Sequence, residues 1–168
     1  MIKLGVSSCL IGQEVRYDAT HCYDSYLVEI LGKQFQLVPV CPEMEIGMGT
    51  PRETVRLVGD AANPRLIAPE SKTDWTQEMR AWTVKRVREL VAENLSGFVF
   101  KNRSPSCGLA NVKIYPNTGS VSQIGRGIFA AELVRQFPSL PVTEAEQLQD
   151  PTVRQDFLER ILAYSPSR

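Results

Sequence analysis

The sequence predicts one α/β domain over residues 1–168, a three-layer sandwich with a mostly parallel, Rossmann-like sheet. Short apolar runs bounded by turn residues, IKLGV (2–6), FQLVPV (35–40) and GFVF (97–100), read as buried parallel strands. Segments with helical spacing lie between them, and a strand–helix–strand order implies right-handed crossovers within one sheet. At 168 residues the chain can bury one substantial core but not two comfortable ones.

Taken in order, the first strand is followed by a helix over 21–31, with Tyr23, Leu27, Ile30 and Leu31 near one stripe. The second strand leads into a stretch punctuated by Gly and Pro, 47–69, where RETVRLVG and PRLIA read as a hairpin. Asp74 and Gln77 fit a capping box. Met79, Thr83, Val87, Leu90 and Val91 then keep helical spacing up to Asn94, with Ser96-Gly97 as the stop before the third strand. VKIY (112–115) and an Asn117-Thr118-Gly119 turn precede a helix opened by Gly125 and Gly127, whose apolar face is Phe129, Ala130, Leu133, Val134 and Phe137. LPVTEAEQL supplies a last short strand and a helical turn capped by Thr143. Asp150-Pro151 opens a final helix with Val153, Phe157, Ile161 and Leu162 inward, and SPSR reads as a frayed tail.

Composition narrows the function. With 19 basic and 19 acidic residues the net charge is zero, so neither a nucleic-acid polymer nor an anionic membrane is the expected partner; a small molecule is. The apolar core of MIKLGVSSCL is too short for a secretory signal or a membrane span, which predicts a cytoplasmic protein. In that reducing compartment the four cysteines read as metal ligands, catalytic thiols or small buried hydrophobes rather than disulfides.

Each of the three predicted strands is followed within about one turn by a cysteine: Cys9 in SSCLIG, Cys41 in CPEMEIG and Cys107 in SPSCG. Strand ends of a parallel sheet share one edge, so three thiols from distant parts of the chain could converge there. Thiolates are soft ligands that suit zinc, copper(I) or an iron–sulfur cluster. Three thiols without an obvious fourth ligand describe an incomplete shell, the condition for catalysis. Cys22 falls in the predicted first helix and reads as packing; His21, the only histidine, could complete a Cys3His zinc site.

Glu43 lies two residues beyond Cys41, and Ser104 and Ser106 precede Cys107 by three and one. They are within reach of whatever a metal binds, as an acid/base carboxylate and hydroxyl donors must be. The competing readings are a solvated loop charge for Glu43 and turn caps for the serines, with Ser106 fitting either role. Arg16, Arg52, Lys101, Arg103 and Arg126 flank the same loops and could offset cluster charge or hold a polar substrate. The GRG before a helix could present backbone N–H groups to an acceptor. A non-catalytic metal- or nucleotide-binding module, with structural zinc held by cysteines, is the alternative function.

Through SSCLIG with VRYDA, CPEMEIGMGTPR, KNRSPSCG with YPNTG, and GRGIFAAEL, the chain resembles the small family, long labelled a domain of unknown function, that includes the 2-thiouracil desulfidases. The resemblance spans most of 1–137. It implies a 4Fe-4S cluster bound by Cys9, Cys41 and Cys107 with one iron lacking a protein ligand, and Glu43 and Ser104 as the catalytic pair. It implies hydrolytic, non-redox desulfuration of a thiolated pyrimidine, the thione sulfur binding the open iron and leaving as sulfide. Two positions depart from the family: Ala19, where relatives often carry glycine, and Asn102, where serine is common.

Overall fold

The runs read as strands lack a polar face because helices cover the sheet on both sides, although Gln36 and Pro39 of the second run are exposed. In the computed structural model, which describes residues 1–117 and 122–164, the elements run β1 (Lys3–Ser7), α1 (Gly32–Gln34), β2 (Gln36–Val40), α2 (Pro42–Glu45), β3 (Arg56–Val58), β4 (Arg65–Ala68), β5 (Thr73–Asp74), α3 (Thr76–Ala92), β6 (Leu95–Phe100), β7 (Val112–Tyr115), β8 (Gln123–Gly125), α4 (Ile128–Gln136), β9 (Val142–Glu144) and α5 (Pro151–Ala163). Short 3-10 turns occupy Ser8–Ile11 and Ala145–Gln149, and a π-helical segment, Leu27–Leu31, leads into α1.

The four-stranded sheet has the order β2-β1-β6-β9 and every pairing is parallel. On one face Leu27, Leu31, Phe157 and Ile161 pack against Leu4, Val6 and Val99. On the other, Val87 and Leu90 of α3 and Phe129 and Leu133 of α4 cover Val38, Val40, Phe98 and Phe100. This is the three-layer arrangement expected. Phe98 stacks on Phe100 at 4.4 Å between centroids and meets Phe129 edge-on at 5.6 Å. Full burial of each such ring stabilises the fold by about 1.5–3 kcal/mol.

A second sheet, order β5-β4-β3-β7-β8, lays Leu57, Leu66, Val112 and Ile114 on Met79 of α3. The predicted hairpin is its antiparallel β3–β4 pair, and VKIY joins it as β7, parallel to β3.

Several local expectations are corrected. The first helical region starts later than residue 21, because Asp24 caps it: its Oδ1 accepts the Leu27 N–H at 3.0 Å and its carbonyl the Val28 N–H at 3.1 Å. Cys22 therefore precedes the helix, and Tyr23 and Ile30 are exposed while Leu27 and Leu31 are buried. In α3 the carboxylate of Asp74 accepts the Thr76 N–H at 2.9 Å, Trp75 takes the cap position, and Val91 is exposed. That helix ends before Asn94, whose φ of 57° makes the stop. Ser96 and Gly97 lie inside β6 instead, where a Cβ on Gly97 would sit 3.0 Å from Leu4 Cδ1 and 3.1 Å from the Pro141 carbonyl oxygen.

Gly125 ends β8 and only Gly127 caps α4. Thr143 is buried in β9, and Glu144 takes the cap position expected of it. Asp150 caps α5 by accepting the Thr152 N–H at 2.9 Å; Phe157 and Ile161 point inward, but Leu162 is 68% exposed. Ala19, the departure from glycine, has φ of 62°, a left-handed conformation glycine adopts freely. Thr118 and Gly119 of the expected turn, and the SPSR tail, lie outside the described residues.

Candidate metal centre

Because β2, β1 and β6 are adjacent and parallel, their carboxyl ends form one edge. The chain leaves β1 through the Ser8–Ile11 turn carrying Cys9, leaves β2 through Cys41 at the cap of α2 with Pro42 at its first position, and leaves β6 through a turn made by Arg103 at φ 58° into the Cys107 loop. Cys9, Cys41 and Cys107 line one cavity of about 270 Å³, together with Glu43, Arg52 and Ser104. Cys9 is 8% exposed and Cys107 4%, while Cys41 is half-buried.

The Cys107 loop is fixed mainly by main-chain atoms, helped by the Ser104 hydroxyl and by Glu144, whose carboxylate accepts the Leu109 N–H at 3.1 Å. The Ser104 carbonyl accepts the Gly108 N–H at 2.8 Å. The Ser104 hydroxyl oxygen accepts the N–H groups of Ser106 at 3.2 Å and Cys107 at 3.0 Å, a serine turn. The N-terminus of α4 then grips this loop: Gly127, Ile128 and Ala130 donate to the carbonyls of Gly108, Pro105 and Ser106 at 2.8, 3.1 and 3.1 Å. Of the GRG N–H groups that could face an acceptor, that of Gly127 is thus spent on the loop, and Gly125 lies in β8. Only glycine permits the approach, since a Cβ on Gly127 would lie 2.4 Å from the Ser106 carbonyl carbon.

The Cys41 wall is fixed by side chains. Glu43 Oε1 accepts from Arg52 Nη2 at 3.1 Å and Nε at 3.3 Å, and Arg52 Nη1 donates to the Gly49 carbonyl at 2.8 Å. Both side chains are largely removed from water, Arg52 at 6% and Glu43 at 15% exposure, so Glu43 is no solvated loop charge. Its Oε2 accepts the Ser106 hydroxyl at 3.0 Å, and Ser106 Oγ lies 3.1 Å from Ser104 Oγ, linking the two walls. Glu45 reaches back to accept the Cys41 N–H at 3.1 Å, and Arg86 Nε lies 3.1 Å from its other oxygen, a close ion pair off hydrogen-bond alignment.

Of the five flanking cations, Arg16, Arg52, Lys101 and Arg103 line the cavity; Arg126 does not, its Nε donating to the Leu109 carbonyl at 3.1 Å. His21 is exposed, with Nδ1 accepting the Tyr23 N–H, and lies outside the lining, so it does not complete a thiol site. Cys22 packs partly buried against the core beside Cys9, its N–H donating to the Cys9 carbonyl at 2.9 Å. Arg52 as the partner of Glu43, and Ser106 as the bridge between walls, were not distinguished by the sequence from their neighbours.

Burial pushes the Cys9 thiol up to about 12; the Cys22 and Cys41 thiols add to this, and Lys101 and Arg16 oppose it. Burial also raises Cys41 and Cys107, the latter against a hydrogen bond from Ser7. Left to themselves the three thiols stay protonated, and a cationic occupant is what would ionise them together. Soft donors, shared burial and flanking cations fit a thiolate-bound metal centre. Among the described residues no three His, Cys, Asp or Glu side chains are grouped to hold a single metal ion.

Comparison with known proteins agrees with this chemistry. A family model described as 2-thiouracil desulfurase matches residues 4–145. The uncharacterized protein YbbK of Bacillus subtilis is 32% identical over 150 residues, 84% of this chain and 95% of that protein. The solved structure of a [4Fe-4S]-dependent thiouracil desulfidase, TudS, superposes with a TM-score of 0.74 at 29% identity, covering 95% of this chain and 99% of the other.

Proposed function

The chain belongs to the 2-thiouracil desulfurase family, and on that premise we propose that it converts a thiolated pyrimidine of the 2-thiouracil type to the oxo compound and sulfide, without net redox change. The carrying observation is that three soft ligands and a paired carboxylate from separate stretches of chain open into one cavity. Cys9, Cys41 and Cys107 would hold a 4Fe-4S cluster like the one named for TudS. When bound, such a cluster supplies an open iron, a soft Lewis acid that polarises C=S and prefers sulfur to the product's carbonyl oxygen.

The remaining roles fall to this chain's own side chains. Arg52 pairs with the Glu43 carboxylate and aims it, so that Glu43 can receive the proton given up by the attacking water. Ser104, on the facing loop, hydrogen-bonds the reacting centre or moves a proton. Lys101 and Arg16, the cations that already oppose the upward push on Cys9, offset thiolate charge.

The test is anaerobic reconstitution with iron and sulfide. The parent protein turns brown, and Cys9→Ser, Cys41→Ser and Cys107→Ser each lose cluster iron while Cys22→Ser keeps it. Supplied with 2-thiouracil and no electron donor, the loaded protein releases uracil and sulfide in equal amounts. Zinc as the dominant bound metal, or turnover only with a reductant, would reject the reading.

A further inference from the structure

We propose that Ser106 is the proton link between Glu43 and Ser104, a positioning residue without which the two cannot act together; the proposal rests on the desulfuration reading above. Among the described residues Glu43 and Ser104 share no hydrogen bond, and Ser106 touches both. A hydroxyl carries one hydrogen, and a carboxylate ion-paired with arginine only accepts. Two acceptors face the Ser106 hydroxyl, Glu43 Oε2 at 3.0 Å and Cys107 Sγ at 4.0 Å, and its hydrogen goes to the nearer. Toward Ser104, at 3.1 Å, Ser106 can then only accept, so the Ser104 hydrogen points to Ser106. Both hydrogens run toward Glu43.

The far end of this relay is prepared for charge. Ser104 Oγ already accepts two main-chain N–H groups, at 3.2 and 3.0 Å, which would stabilise negative charge as its proton moves on. Ser104 is half-buried on the cavity wall, whereas Ser106 is 1% exposed. Ser106 lines the same cavity, nearly closed to water, between two groups that are more open to it.

The step balances as follows. Ser106 passes its own proton to Glu43, Ser104 passes its own to Ser106, and the Ser104 oxygen, left as an alkoxide held by the two main-chain N–H groups, takes one from water. The hydroxide oxygen bonds the ring carbon as the C=S π pair moves onto sulfur; the added hydroxyl then loses its proton to form C=O as the remaining C–S pair leaves with sulfur. The proton held on Glu43 and the second water proton depart with the sulfide as hydrogen sulfide, so no electrons are gained or lost.

The experiment uses cluster-loaded protein with iron and sulfide quantified first. Ser106→Ala should lower kcat about 10²-fold with KM and iron content unchanged, and Ser106→Thr should recover most of it. The double variant Glu43→Ala with Ser106→Ala should be no slower than Glu43→Ala alone, since members of one relay are not additive. Near-parent turnover of fully loaded Ser106→Ala, or multiplying effects in the double variant, overturns the link while leaving the catalytic pair standing. Near-parent turnover of both Glu43→Ala and Ser104→Ala overturns the pair, and the link with it. A second measurement needs no variant: single-turnover rates of the parent in mixtures of light and heavy water should curve with deuterium fraction, because several protons move together, and a straight line overturns the link.

Discussion

The two walls of the cavity are held by different kinds of force. The Cys107 wall is locked by main-chain hydrogen bonds to the start of α4, with a glycine at the point of closest approach. The Cys41 wall is locked by carboxylates: Glu43 on Arg52, and Glu45 on both Arg86 and the Cys41 N–H. A main-chain lock is indifferent to most side chains and intolerant of added bulk. A carboxylate lock tolerates bulk and fails when a charge is removed.

The largest effect should come from Gly127→Ala. The Gly127 backbone, φ −62° and ψ 152°, suits alanine, so the cost is steric: the new Cβ meets main-chain atoms of Ser106 at 2.4 and 2.5 Å. We expect a loss of about 3 kcal/mol in denaturant unfolding, together with impaired cluster loading. A variant as stable as the parent would mean that α4 does not lock the loop.

Arg52→Met should cost less, about 2 kcal/mol, by leaving the largely buried Glu43 carboxylate without its cation. Desulfuration should fall further than stability does, because the base loses its aim. An unfolding cost equal to that of Gly127→Ala would erase the distinction between the walls. Next in size, Glu45→Ala removes the acceptor of the Cys41 N–H and should cost about 1 kcal/mol, as loss of a cap does. Its signature is slower iron uptake with ordinary turnover once loaded; Glu45→Gln, which keeps an acceptor, should recover most of the uptake.

The smallest effect at neutral pH concerns Cys9, which follows β1 between the two walls. In cluster-free protein the folded Cys9 thiol titrates near 12 against an ordinary value of 9.0, so between these values the folded chain retains a proton that the unfolded chain has released. The stability this contributes is intact below about 9 and is lost as pH climbs toward 12. Unfolding midpoints measured across that range should fall for the parent and fall less for Cys9→Ser.

What the sequence revealed and what it hid follow from the range of the interactions. The three cysteines were readable as a group because each follows a strand run, and strand direction is a local property. Residues 21–24 were misassigned because Tyr23 and Ile30 satisfy helical spacing, whereas the deciding feature is the carboxylate of Asp24 bonded to Leu27. Gly97 resembled a helix stop, but its small size answers to Leu4 and Pro141, distant in sequence. Of the second sheet only the β3–β4 hairpin was legible: β8 has three residues, too few to show alternation, and β7 pairs with β3 across a long stretch of sequence. The Glu43–Arg52 pair spans nine residues through an irregular turn, and no periodicity reports it.

The two sheets also divide the cavity's heredity. All three thiols hang from the four-stranded sheet, while Thr54 and Val55 of the rim stand on the segment that enters β3 of the other. Mutations accumulating in that smaller sheet can reshape the mouth without displacing a ligand. A lineage could therefore drift in what it admits while keeping its three thiols in place, and relatives that share the thiols should diverge first at the rim.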